Sequence, residues 1–223
     1  MFKRNIMVEF AKPTFIYWKI VARAQLPMLM LRAGNVSYNW DTETVDAWPA
    51  AKNEQPFGQL PVLLHNGRRL AQSGTIARYC ARVAGLWPTT EDAWLRADML
   101  IEHCRDIFTM MAKAKYAGDV TAQRKAWAEL AEKKYPEHVD WLVKLLGDND
   151  YFGGERPDAG DVAVFSVLNV AERSGLQCPL SKFPTLVEHS KRVAQMGTIN
   201  EYLTAAHPVY LKVPEEQVLE TTV

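Results

Sequence analysis

The dipeptide Asn66-Gly67 constrains the fold of this 223-residue chain more than any other feature. It stands between a short apolar run, Pro61 to Leu64, and the segment Arg69 to Ala71. Asn-Gly in that setting is the strongest short-range signal for a two-residue β-hairpin. Upstream, Thr14 to Trp18 is rich in aromatic and β-branched residues, follows Pro13 and reads as a first strand. Arg23 to Arg32 carries Leu26, Leu29 and Met30 at helical spacing and reads as a helix ending at Gly34, with a second strand over Asn35 to Trp40. After the hairpin, Ser73 opens a helical pattern through Ile76, Tyr79 and Cys80, and its hydroxyl is of the N-cap type. A βαβ unit followed by ββα makes a mixed sheet layered with helices.

The pattern changes after Gly85 to Thr90, a breaker segment with Pro88 inside it. Leu95, Met99, Glu102 and Asp106 fall on 3- and 4-residue spacings, and amphipathic stretches continue past Met111 and again from Gln123 to Leu146. Asp158-Ala-Gly-Asp161 is a capping-box variant before the apolar run Val162 to Leu168, which reads as a buried central helix. The expected architecture is α/β plus all-α: one domain over 12–84, an all-helical one over 91–208, and a tail over 209–223 with little periodicity and partial disorder.

Lys plus Arg (26) balances Asp plus Glu (26), which removes the electrostatic footprint of a nucleic-acid or anionic-membrane binder. Cys80, Cys104 and Cys178 are far apart and in no CxxC or Cys/His spacing, so neither a disulfide framework nor zinc is expected and a reducing cytosol fits. His65, His103, His138, His189 and His207 show no ligand spacing, so no metal is expected. No apolar run reaches the roughly 18 residues of a membrane span. Met1 to Phe10 is interrupted by Lys3, Arg4 and Glu9 and reads as no targeting signal, so the expected compartment is the cytoplasm.

Three segments carry a resemblance: Pro56-Phe-Gly-Gln-Leu-Pro-Val62, then Asn66-Gly67, then Leu70-Ala-Gln-Ser-Gly-Thr-Ile-Ala-Arg-Tyr79. They resemble the glutathione-binding core of the cytosolic glutathione transferases, most of all the sigma class, which includes the glutathione-dependent prostaglandin D synthases. The likeness extends through Tyr17, Arg23, Trp48-Pro49 and Lys52 over nearly the whole first domain. In the second domain it rests on Arg96-Ala-Asp98-Met99 and on the Asp158 to Asp161 box. The resemblance implies a thioredoxin-like first domain that binds glutathione, a helical second domain that supplies the electrophile pocket, and a homodimer. It implies glutathione contacts from Tyr17, Arg23, Trp48, Lys52, Gln59, Leu60, Pro61, Gln72 and Ser73, with Asp98 reaching in from the partner subunit.

Elementary chemistry gives several of these residues a role beside a plainer one. A cis Leu60–Pro61 bond, implied by the resemblance, would turn the Leu60 N–H and C=O toward a peptide-like ligand; the base rate favours an ordinary trans proline. Backbone N–H groups at a helix start suit the γ-glutamyl carboxylate, while a serine there also serves as a cap for its own helix. Lys52 and the Trp48 indole suit the glycyl carboxylate, though a loop lysine is usually solvated and a tryptophan usually packs. Tyr17 stands where the family places its thiol-activating hydroxyl, and a packed strand aromatic is the plain alternative. A free cysteinyl thiol is only about 3% ionised at pH 7, and lowering its pKa by about two units takes roughly 2.7 kcal/mol of preferential thiolate stabilisation. A tyrosine O–H, with Arg23 nearby, is a donor suited to that. Asp98 has the plain reading of a surface carboxylate on a helix.

Two departures from the family pattern stand beside the matches. Ala22-Arg23-Ala24-Gln25 replaces a Gly-Arg-Ala-Glu run, and Lys19, Ile20 and Val21 make the loop after the first strand more apolar. An apolar electrophile pocket is expected from Val21, Ala22, Phe108 and Met111, whose alternative is ordinary core. The leading activity is attack of the glutathione thiolate on an apolar electrophile. A prostaglandin-type isomerase shares that thiolate, a crystallin-like or carrier protein would lack some of these contacts, and a thiol-disulfide reductase would want a cysteine where Tyr17 stands.

Overall fold

The computed structural model describes residues 12–48, 50–205, 207–209 and 211–214. Strand β1 (Thr14–Ile16) leads through a loop into α1 (Gln25–Ala33), β2 (Asn39–Asp41), the single-turn α2 (Glu43–Asp46) and a 3-10 turn at Ala50–Glu54. The hairpin β3 (Val62–His65) and β4 (Arg68–Ala71) then feeds α3 (Ser73–Val83). The sheet order is β2-β1-β3-β4, with β1 parallel to β2 and antiparallel to β3, and β3 antiparallel to β4. This is the expected mixed sheet. Asn66 and Gly67 both take positive φ (49° and 72°), as the type I′ hairpin turn requires.

The strand pleat sorts side chains between two layers. Phe15 and Leu63 join the main core beneath α1 and α3, whereas Ile16 and Val62 face the other way and pack with Val45 of α2. Helix α1 starts two residues later than the spacing suggests. It accommodates Pro27 in its first turn, where the missing N–H costs no helical bond. Its end abuts α3 so closely that a Cβ on Gly34 would lie 2.5 Å from the Ala84 carbonyl. The second strand is shorter than expected because Asn35 turns through φ 57° and delays pairing to Asn39.

The second domain opens with α4 (Glu91–Lys115), which has Glu91 and Asp92 in its first turn and Lys113 and Lys115 in its last, charges that complement the helix dipole. Asp119 caps α5 (Val120–Glu129), its carboxylate accepting from the Ala122 N–H at 2.8 Å. The stretch expected to run unbroken to Leu146 widens into a π segment, Leu130–Lys134, before α6 (Tyr135–Leu146). Pro136 gives the reason: it has no N–H, and its ring would strike the Glu132 carbonyl in a regular helix. The Tyr135 N–H instead donates to the Leu130 carbonyl five residues back.

Helix α7 (Ala159–Arg173) is the expected central helix, with every side chain from Val162 to Leu168 buried, and Asp158 and Asp161 form the capping box that starts it. It packs on α4 and on α1, joining the two halves of the chain. Helices α8 (Pro184–Ala194) and α9 (Ile199–Thr204) complete the domain. The described part of the expected tail is held rather than loose. The Val21 N–H donates to the Pro208 carbonyl at 2.7 Å, Val21 pairs with Val209, Leu211 is buried, and the Val213 N–H donates to the Ser174 carbonyl at 3.0 Å. Residues 1–11 and 215–223, the remainder of the expected extensions, lie outside the described residues, as does Pro49.

Candidate active site

Most of the expected ligand residues come from three places in the first domain, the end of β1, the loop before β3 and the start of α3; Arg23 precedes α1, and Asp98 lies on α4. Because β1 and β3 pair in the register Ile16↔Val62, the chain beyond Ile16 and the chain before Val62 leave the sheet side by side. That brings Tyr17 and Trp18 beside Gln59, Leu60 and Pro61. The Leu60–Pro61 bond is cis, and Leu60 makes no backbone hydrogen bond among the described residues. Its N–H and C=O are therefore available to an extended ligand.

Gln72 lies between β4 and α3 at φ 67°, ψ 111°, a conformation that strains a non-glycine residue. It turns the chain so that α3 begins at Ser73, and its amide approaches Gln59 Oε1 at 3.5 Å. The first bond of α3 runs from the Ile76 N–H to the Gln72 carbonyl, so the N–H groups of Ser73, Gly74 and Thr75 have no helical acceptor. Ser73 is thus the first helical residue, and the cap position belongs to Gln72, which makes no side-chain capping bond. The expectation that the Ser73 hydroxyl caps α3 is corrected: it makes no hydrogen bond among the described residues, since the positive φ at Gln72 moved the helix boundary by one position.

Tyr17 and Trp18 follow the end of β1, and their rings meet edge-on with centroids 5.6 Å apart. Tyr17 is 4% exposed and shares the main core face with Phe15; its N–H donates to the Asp41 carbonyl at 3.2 Å and its carbonyl accepts from the Trp40 indole at 2.9 Å. The Tyr202 hydroxyl is held well above the usual phenol range, first by burial and then by the nearby phenols of Tyr38 and Tyr17. Trp18 is 43% exposed and stands edge-on to Trp48, with ring centroids 6.4 Å apart. The exposed Lys52 side chain runs beside Gly58, so Lys52, Trp48 and Trp18 gather near the loop that leads to Leu60. Trp18 escaped the sequence reading. It lies past Ile16, where β1 ends and strand alternation no longer orders the side chains.

Arg23 is exposed at the junction of the two halves, its guanidinium 5.1 Å from the centre of the Phe108 ring. Together with Ala22 these residues line a small cavity, about 40 Å³, that also meets Ser73, Gly74 and Arg105. That volume holds a few waters or the tip of an alkyl chain. Two of the four expected electrophile residues do not reach it: Val21 and Met111 are fully buried in the core. Helical spacing identifies an apolar face but not what covers it, and here α7 packs against α4. Asp98 is half-buried on α4. Its carboxylate accepts a hydrogen bond from Arg78 of the same chain, and Arg78 spans to Glu102 at 2.5 Å, a network that ties α3 to α4.

Comparison with known proteins agrees with this geometry. Residues 13–82 match the family model of the glutathione S-transferase N-terminal domain and residues 105–206 that of the C-terminal domain. The chain is similar to glutathione S-transferase S1 of Drosophila melanogaster, at 30% identity over 137 residues that span 61% of this chain and 55% of that protein. It is similar to glutathione S-transferase Mu 1 of Bos taurus at 26% identity over 210 residues, 88% of this chain and 94% of that one. Its fold is similar to that of rat hPGDS solved with a quinoline (TM-score 0.76, 24% identity, 86% of this chain and 96% of that one). The Pi-class glutathione S-transferase of Onchocerca volvulus gives the same score and identity, over 86% and 92% of the two chains. With both of its halves matched, the chain belongs to the glutathione S-transferase family of enzymes.

Proposed function

We propose that the chain binds glutathione along the line from Gln72 to Lys52 and uses Tyr17 to hold its sulfur as a thiolate for attack on an apolar electrophile. The observation that carries this reading is the strained junction at Gln72. Backbone strain of about 1–3 kcal/mol persists where the surroundings enforce it, and functional sites are where it gathers. Here it aims the open N–H groups of Ser73 and Gly74, with a hydroxyl not engaged in capping, toward the side where the cis Leu60–Pro61 segment offers its own backbone.

In this reading the γ-glutamyl carboxylate lies at the start of α3, held by Ser73 and oriented by Gln72 and Gln59. The cysteinyl backbone pairs with Leu60 beside Pro61. The glycyl carboxylate meets Lys52 with the indoles of Trp48 and Trp18. The pleat sends the Tyr17 ring toward the second domain, where its O–H donates to the sulfur and Arg23 adds positive charge. The thiol proton passes to solvent, the thiolate forms a carbon–sulfur bond, and the leaving group departs with its electron pair. No metal is required, and no group of three or more ligating side chains converges among the described residues.

The sigma class is the class we propose, on the sequence pattern; the relatives named above carry S1, Mu and Pi labels. A homodimer is proposed as well. Phe57 and Met99 are 71% and 61% exposed, large apolar side chains that a second copy would cover, and Asp98 stands next to Met99 on α4. A cytoplasmic location is the corresponding proposal; no described helix is long and apolar enough to cross a membrane. The domain limits proposed are 12–84 and 91–208.

Isothermal titration with glutathione, paired with turnover of an activated aryl chloride, tests the reading. Gln72→Ala and Ser73→Ala are expected to weaken glutathione binding by about tenfold or more, the equivalent of at least 1.4 kcal/mol, with circular dichroism unchanged. Absence of glutathione binding by the wild type contradicts it.

A further inference from the structure

Arg105 extends from α4 to the first turn of α3, where a Cβ on Gly74 would lie 3.0 Å from Arg105 Nη1 and 3.2 Å from its Cδ. The small cavity between the two halves is lined there by Arg23, Arg105, Ser73 and Gly74, and no carboxylate lines it. The other guanidinium against Gly74, that of Arg78, is already engaged by Asp98 and Glu102.

Arg105 is engaged on one side only. Its Nη1 donates to both oxygens of Glu102, at 2.8 and 2.6 Å, which anchors the guanidinium. Its Nε is buried without a partner, and Nη2 makes no hydrogen bond among the described residues. A guanidinium can only donate, and a buried donor is nearly always paired. The N–H groups of Ser73 and Gly74 next to it have no helical acceptor either. A carboxylate at the start of α3 answers both sets of donors at once, and its charge-assisted bond to a guanidinium is stronger than the neutral N–H groups alone provide. We infer that Arg105 is a specificity-determining residue for the thiol substrate: it binds the γ-glutamyl carboxylate at the start of α3 and makes the enzyme select thiols that carry it. This role rests on the glutathione reading proposed above and adds to it a charged contact from the chain's own helical half.

The test compares glutathione with 4-aminobutyryl-cysteinylglycine, which lacks only that carboxylate, as thiol substrates in turnover of an activated aryl chloride by the full chain. The wild type is expected to favour glutathione by about a hundredfold or more in kcat/KM, because a site built to bind a charged group is left with unpaired donors when the group is missing. Arg105→Gln is expected to cut that preference about tenfold or more, raising KM for glutathione far more than KM for the analogue. Arg105→Lys keeps the charge but not the fork and is expected to cut it about threefold; it decides alone should the Gln variant fail to fold. Glutathione amidated at its glycyl end is the control, with the same penalty relative to glutathione expected in wild type and variants. Equal losses with all three thiols would reduce Arg105 to its salt bridge with Glu102 and overturn the inference. A wild type active with glutathione whose preference survives in both variants overturns the role of Arg105 alone, whereas a wild type that does not use glutathione overturns the proposed function and this role together.

Discussion

The side-chain amide of Gln25, the first residue of α1, donates to the backbone carbonyl of Ser166 in the middle of α7 at 3.2 Å. The same nitrogen donates to Asn169 Oδ1, also at 3.2 Å, and the side chain is fully enclosed. Both partners are acceptors, so the junction between the two halves requires a donor here. This accounts for the departure at this position: a carboxylate in place of the amide would present acceptor to acceptor in a buried site. Gln25→Glu is expected to destabilise the protein by about 2–4 kcal/mol at neutral pH, from unpaired acceptors and buried charge. Urea denaturation gives the value, and a change below about 0.5 kcal/mol, the range of ordinary surface substitutions, would count against the interdomain role.

Strain at Gln72 separates stability from function. Glycine adopts the positive φ of this junction without steric cost but gains freedom in the unfolded chain, about 0.5–1 kcal/mol against it. Since the strain relieved is about 1–3 kcal/mol, Gln72→Gly is expected to leave stability unchanged or raise it by up to about 2 kcal/mol. The loss of the side chain is expected to raise KM for glutathione about tenfold. A variant that is both clearly less stable and fully active would show that Gln72 serves the fold alone.

Asp158 gives the capping box a pH dependence of defined sign. Burial, and then the neighbouring Asp161 carboxylate, push its pKa up from 3.8 to about 6, against the lowering effect of the Gly160 and Asp161 N–H groups and Arg96. A carboxyl with a raised folded pKa binds its proton more tightly in the folded state. Its favourable contribution is complete below about pH 3.8 and is lost as pH rises through about 6. Asparagine still accepts the Gly160 N–H and never ionises. Asp158→Asn is therefore expected to gain on the wild type between pH 4 and 7, by up to about 3 kcal/mol. Urea melts of both proteins across this range give the difference, and one that stays flat with pH would contradict the assignment.

Features fixed by local chemistry were legible in the sequence. Asn66-Gly67 needs only two positive φ values and its flanking strands, and the box at Asp158 and Asp161 needs only four consecutive residues. The features that escaped depend on what arrives from elsewhere in the chain. Ser73 looked like a cap because a serine before an apolar pattern usually is one; the strained Gln72 ahead of it shifted the boundary. Met111 was placed at a pocket from its place on a helical stripe and Val21 from the apolar loop after β1, and neither signal distinguishes a ligand contact from packed core. Pro136 marked the π segment but was read through as helix. The Gln25–Ser166 bond joins residues 141 positions apart and leaves no local pattern. Trp18 lies beyond the end of β1, and its packing on the Tyr17 and Trp48 rings follows from the path of the loop rather than from strand alternation.

The measurement that tests the central claim most directly is titration of the bound glutathione thiol by thiolate absorbance, comparing the wild type with Tyr17→Phe and confirming binding independently in both. The account predicts a thiol pKa about two units below the solution value of about 8.5 in the wild type, returning toward it in the variant while glutathione stays bound. A bound thiol with the solution pKa in both proteins, or an equally lowered pKa in both, would contradict the assignment of Tyr17 as the group that activates sulfur.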